Sequence, residues 1–293
     1  MGRRFPAKYL PYVLLSPAVG LTLVFLVIPT IQSIYQSFFM VSPFGNKSIF
    51  VGLENFTTLL TSGEYIHSIT ISIVFSIIVV VLDLSLGVIF AVLLNNRLRG
   101  MTFFRTTVIF TYAISPVVAG TIWALMFAPS TGPIVYILKK FFGISLNWMT
   151  SPGIALVIVA ASAAWKQLGY NVIFSLAALQ NIPSTLLEAA EIDGATSVVK
   201  FFKVTLPLIS PTLFFLLIMD MFYSFFQVFG VVDVMTQGGP GDATSIMVYQ
   251  LYKDGFVNLR TGLASAESVL LFILVFILVM IQFKFTEKRV FYS

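Results

Sequence analysis

Hydrophobic positions along this chain collect into six long runs, roughly Pro11–Phe39, Ile69–Leu94, Phe103–Phe127, Gly153–Leu179, Leu206–Gly230 and Gly262–Phe285. A hydrocarbon core about 30 Å thick is crossed by about 20 residues of helix, and each run is long enough. Spanning strands are about ten residues long and alternate in polarity; these runs do neither. Backbone in lipid must satisfy its own hydrogen bonds, which a helix does internally. The pattern predicts an all-α polytopic membrane protein with six transmembrane helices in a single domain, residues 1–293.

One polar interval, residues 181–206, has a pattern of its own: "NIPSTLLEAAEIDGATSVVKFFKVTL". Thr185 and Glu188 stand in the spacing of a capping box, which predicts a first short helix. Asp193-Gly194 ends it, with Gly194 free to take positive φ. Val198, Val199, Phe202 and Val204 form the apolar stripe of a second short helix, ending near Leu206-Pro207 where the fifth run begins. A helix lying on a membrane surface carries Lys and Arg on its polar face. This one opens with Glu188, Glu191 and Asp193 among small alanines, which favours docking on another protein.

Composition agrees with the membrane reading: 58% of the 293 residues are hydrophobic and 10% charged, against about 25% charged in soluble domains. The net charge of +5 is then a matter of orientation, since basic residues gather in cytoplasmic loops, and nucleic acid is not an expected partner. Arg3, Arg4, Lys8, Arg97, Arg99, Arg105, Lys200, Lys203, Lys284, Lys288 and Arg289 fall on one side, eleven in all; Lys47, Lys139, Lys140, Lys253 and Arg260, five, fall on the other. Both termini and the 181–206 interval are therefore expected in the cytoplasm. The apolar part of the N-terminus is too long for a signal peptide and no small-residue cleavage site follows, so it reads as a retained first span. With no cysteine, disulfides, thiolate catalysis and Cys-ligated metals are excluded.

Polar groups inside the runs are candidates for a solute pathway, because charge in a span is costly. Lys166 lies midway along the fourth run with Gln167, Tyr170 and Asn171. It either attracts an anionic solute or pairs with Asp220 of the fifth run. Asp220, Tyr223 and Gln227 share one helix face by spacing, as a pore stripe or as interhelical hydrogen bonding. Asp83 has no evident role; Glu267 reads as interfacial; His67 has no metal cluster around it; Trp123, Trp148 and Trp165 read as anchors or packing. Two loops expected outside, Ser42–Phe56 and "TQGGPGDATS", are rich in turn residues, among them Gly52, Gly238, Gly239 and Pro240.

The motif E-A-A-x3-G-x9-[IV]-x-L-P, present as Glu188-Ala189-Ala190, Gly194, Val204 and Leu206-Pro207, resembles the cytoplasmic signature of permease subunits of ATP-driven (ABC) importers. "VGLENF", "TQGGPGDAT" and "FFKVTLPLISP" resemble its carbohydrate-type, maltose-permease-like branch, and "WKQLGYN" and "YKDGF" the permeases of importers for sn-glycerol 3-phosphate. The resemblance implies a type I importer permease fold in the cell inner membrane, without catalytic residues. It implies Glu188, Ala189, Ala190, Asp193 and Gly194 as the coupling element for a cytoplasmic ATPase homodimer, which would bind ATP and Mg. It further implies a homologous second permease and an extracytoplasmic solute-binding protein received near Gly52, Asn55, Gly238, Gly239 and Pro240. The chain contains no G-x-x-x-x-G-K-[ST] phosphate loop of its own. Sn-glycerol 3-phosphate or a related glycerophosphodiester is the favoured solute; a neutral mono- or oligosaccharide is the alternative. An autonomous secondary transporter would need paired mid-membrane acids on broken helices, and a membrane enzyme a titratable cluster.

Overall fold

The computed structural model describes residues 9–42, 48–96 and 100–286, the side chains of 285 and 286 excepted. Half of the basic residues that set the expected orientation (Arg3, Arg4, Lys8, Lys47, Arg97, Arg99, Lys288 and Arg289) lie outside the described residues. The chain falls into two compact units, Met1–Ser62 with Leu251–Phe272 and Gly63–Gln250 with Ile273–Ser293.

In the first unit, α1 (Leu10–Gln36) is an apolar helix of which no residue is buried. It widens into a π segment at Leu23–Val27, just ahead of Pro29, whose missing N–H cannot serve the preceding turn. A two-stranded antiparallel ribbon follows, β1 (Phe39–Val41) against β2 (Ser48–Phe50), with Met40 opposite Ile49, and then α2 (Glu54–Thr61). The last helix, α13 (Thr261–Thr286), begins in this unit, and its Ser268 Oγ lies 3.0 Å from Ser33 Oγ of α1.

The second unit is a helical bundle built on α3 (Gly63–Leu94) and α7 (Pro152–Gln180). Between them in sequence come α4 (Met101–Ala113), α5 (Pro116–Met126) and α6 (Pro133–Phe142). After α7 come α8 (Ser184–Ile192), α9 (Ser197–Leu208), α10 (Ser210–Gln227), α11 (Phe229–Met235) and the short α12 (Met247–Tyr252). An apolar cluster of Phe75 and Val79 from α3, Val159, Ala160 and Ala163 from α7 and Val231 from α11 fills one end. A second, of Ala91, Leu176, Leu179 and Ile209, fills the other.

Among the described residues four helices are long and apolar enough to cross a membrane, or up to six if each of two bent pairs counts as one span. Here the structure departs from the six continuous runs. The run Phe103–Phe127 is two helices, α4 and α5, bent by 108°. Pro116 forces Ser115 into extended backbone (φ −67°, ψ 151°), and Ser115 Oγ then accepts from Val118 N to start α5. Likewise the run at Leu206–Gly230 is broken: α9 continues through Leu208, and α10 leaves it at 69°, with Ile209 outside helical geometry ahead of Ser210-Pro211. The second run begins six residues earlier than the apolar pattern implied, at Gly63.

Candidate functional site

Between its two apolar clusters the bundle carries a polar layer. Asp83 of α3, Asn171 of α7 and Asp220 of α10 are all fully buried, and Lys166 and Gln167 nearly so. Asn171 Nδ2 donates to Asp220 Oδ1 across 2.8 Å. On one side Ser76 Oγ and Ser224 Oγ are 2.6 Å apart, joining α3 to α10, and Tyr223 donates its hydroxyl to Ala163 O at 2.9 Å. These contacts place α3, α7 and α10 side by side with their polar residues at one level.

Lys166 does not pair with Asp220. Among the described residues it forms no ion pair; its ammonium stands 4.9 Å from the ring centroid of Tyr112 and 5.3 Å from that of Tyr223. A cation over aromatic faces gains about 0.5–2 kcal/mol while remaining open to an anion. Tyr170, half-buried, packs its ring 5.3 Å from Tyr112. Tyr112, just before the Ser115-Pro116 break, thus joins Lys166 to Tyr170, although nothing in the spacing of α4 singled it out. Gln227, by contrast, is exposed. The π segment Tyr223–Gln227 is wider than the α turn assumed by the spacing and carries Gln227 off the face shared by Asp220 and Tyr223. Glu267, expected at an interface, is buried.

The elbow of α8 and α9 has no buried residue up to Leu208; Leu187 and Ala190 of α8 and Lys200 and Phe201 of α9 are half-buried, and most of the rest of the turn and its flanks is exposed. Pro183 (φ −57°, ψ 128°) supplies the entry to α8, and no side chain caps it; the Thr185–Glu188 box therefore does not form, because the helix already starts at Ser184. The C-terminal end follows expectation. Gly194 sits at φ +77°, its N–H bonds to Glu191 O and that of Ala195 to Ala190 O, both at 3.0 Å, the double closure of a helix end on a left-handed glycine. Thr196 caps α9 through Val199 N, and Lys200 of α9 pairs with Glu191 of α8, clasping the two helices. Glu188, Ala189, Asp193 and Gly194 face outward, and Ile192 is 86% exposed.

The loop glycines divide. Gly52 takes φ +58° before α2, but Asn55 is buried. Its amide donates to Ser37 O and Phe39 O, so it holds the ribbon from within. Gly238 is buried against the Tyr249 ring. Gly239 and Pro240 edge a cavity of about 190 Å³ with Trp148 and Met235. Trp148 is an anchor, donating its indole N–H to Phe127 O at 2.7 Å. Arg105 closes the C-terminal end of α3 by donating Nε and Nη2 to Leu94 O. Among the described residues no group of three or more His, Cys, Asp or Glu could hold a metal ion.

Residues 83–292 match the family of binding-protein-dependent transport system inner membrane components. The chain belongs to that family: it is an inner-membrane permease of the ABC-importer class. It is 45% identical, over 99% of its own length and 98% of the relative's, to the sn-glycerol-3-phosphate transport system permease protein UgpA of Brucella suis biovar 1 (strain 1330). Its fold is that of a bacterial ABC transporter involved in the import of the acidic polysaccharide alginate, with TM-score 0.82, 24% identity and 96% of both chains covered. A second structure, a bacterial alginate ABC transporter in complex with alginate pentasaccharide-bound periplasmic protein, superposes with TM-score 0.81 at 24% identity, covering 94% of this chain and 93% of the other.

Proposed function

We propose that the chain is a six-span permease subunit importing sn-glycerol 3-phosphate or a related glycerophosphodiester, with both termini in the cytoplasm. In this reading α4 with α5, and α9 with α10, each make one broken span. A homologous second permease completes the pathway. An extracytoplasmic binding protein delivers the solute to the loops around Gly52 and Gly238–Pro240. An ATPase homodimer, holding ATP and Mg, grips Glu188, Ala189, Ala190, Asp193 and Gly194. The membrane subunit itself does no bond chemistry; it moves between inward- and outward-open states whose balance ligand and nucleotide shift.

The observation that carries the choice of solute is Lys166, a buried cation over the rings of Tyr112 and Tyr223 that forms no ion pair among the described residues. A phosphate monoester offers the charge and the acceptors that an ammonium lacks here. The name of the Brucella relative points the same way. The test is ATPase stimulation of the reconstituted importer by binding protein loaded with sn-glycerol 3-phosphate or with a neutral sugar. Stimulation by the phosphate ester alone is expected; stimulation by the neutral sugar alone would transfer the chain to the saccharide alternative.

A further inference from the structure

The Asp83 carboxylate is fully buried, and neither of its oxygens has a hydrogen-bond partner among the described residues. A buried carboxylate left uncompensated costs several kcal/mol, so it calls for a cation within reach. Helix register identifies one. Gly87, one turn beyond Asp83, meets Asn171 so closely that a Cβ on it would come within 2.6 Å of Asn171 Cβ. One turn before Asp83, Val79 packs in the cluster with Val159 and Ala163, and further on Ala91 packs with Leu176. α3 and α7 therefore run parallel in fixed register, and Asp83 falls opposite the turn of α7 that holds Lys166 and Gln167. The charged groups facing this level are Asp83 from α3, Lys166 from α7 and Asp220 from α10, with the phenols of Tyr112, Tyr170 and Tyr223 around them. Asp220 already has the Asn171 amide, which leaves Asp83 as the carboxylate at this level without a hydrogen-bond donor among the described residues.

We propose that Asp83 is the counter-charge of Lys166 and a positioning residue for solute recognition: the ammonium turns to Asp83 when the layer is empty and to the solute anion when it is loaded. This rests on the anion-importer reading above. The exchange needs only rotation of the lysine side chain, since the backbones are pinned where Gly87 meets Asn171. Competition from Asp83 weakens solute binding by the fraction of time the lysine is engaged. A neutral solute cannot displace the carboxylate, so the same contact excludes the wrong cargo.

The test is the dissociation constant of radiolabelled sn-glycerol 3-phosphate on the assembled permease–ATPase complex in nanodiscs, with the binding protein left out. Asp83→Asn, which keeps the shape and removes the charge, should tighten binding by at least about fivefold. In a Lys166→Met background the same change should move the constant by less than about twofold. Asp83→Glu, which retains the charge, should stay within about twofold of the unaltered complex, and it carries the test if Asp83→Asn does not assemble. Unchanged or weaker binding in Asp83→Asn, an equal shift in both backgrounds, or a large shift in Asp83→Glu overturns the proposal. If Lys166→Met alone leaves binding unchanged, the anion reading falls and this inference with it. If Lys166→Met weakens binding and Asp83→Asn does nothing, only the inference falls.

Discussion

Asn171 reaches across from α7 to donate its amide to Asp220 of α10, and it occupies the carboxylate that the sequence offered to Lys166. Both residues are fully buried, so the bond is shielded from water. Its presence releases Lys166 to the aromatic faces of Tyr112 and Tyr223.

Replacing Asn171 with Leu would leave Asp220 as a buried carboxylate without its donor. A loss of about 3 kcal/mol is expected, seen as a lowered melting temperature of the purified complex. Asp220→Asn, which leaves no charge to strand, should cost clearly less.

Gly87→Leu tests the helix contact beneath the layer. Even a Cβ would sit 2.6 Å from Asn171 Cβ, and overpacking of this kind costs about 1–3 kcal/mol. Reduced assembly is expected, measured as the yield of complex after solubilisation. Gly20→Leu on α1, where nothing lies within 4 Å of a Cβ, should assemble normally.

Gly194 separates backbone conformation from space. A Cβ there meets nothing within 4 Å, yet φ is +77°. Gly194→Asn, a residue that tolerates this region, should keep most uptake. Gly194→Val, strained by about 1–3 kcal/mol, should distort the elbow and lower the ratio of solute taken up to ATP hydrolysed. Equal uptake in both variants would remove the turn from coupling.

The Glu191–Lys200 clasp is partly exposed, and such pairs contribute about 0–1 kcal/mol. Lys200→Glu should therefore leave thermal stability nearly unchanged while reducing the same coupling ratio. The reversed pair, Glu191→Lys with Lys200→Glu, should restore it.

Much of this was legible in the residues. The long apolar runs, the glycine-ended helix at Gly194 and the burial of Lys166 beside Asn171 follow from length, turn chemistry and spacing. The breaks at Ser115 and Ile209 were signalled by the prolines that follow, but the apolar length around them hid the change of direction. Partner choice was not legible. Spacing puts Lys166, Tyr170 and Asn171 on known faces of α7, but which helix meets each face depends on close approaches such as that at Gly87. For that reason Tyr112 was missed, Asp83 had no role, and Asn55 read as a docking residue when its amide holds the ribbon. The single face expected for Asp220, Tyr223 and Gln227 failed on local geometry, because a π turn changes the angle on which spacing relies.

The elbow as a handle for a cytoplasmic motor can be tested with one substitution, since the chain has no native cysteine. In the assembled importer, Ala189→Cys should be protected in intact cells from a membrane-impermeant thiol reagent and should crosslink to the ATPase subunit. Labelling of that cysteine from outside, with no crosslink to the ATPase, would contradict it.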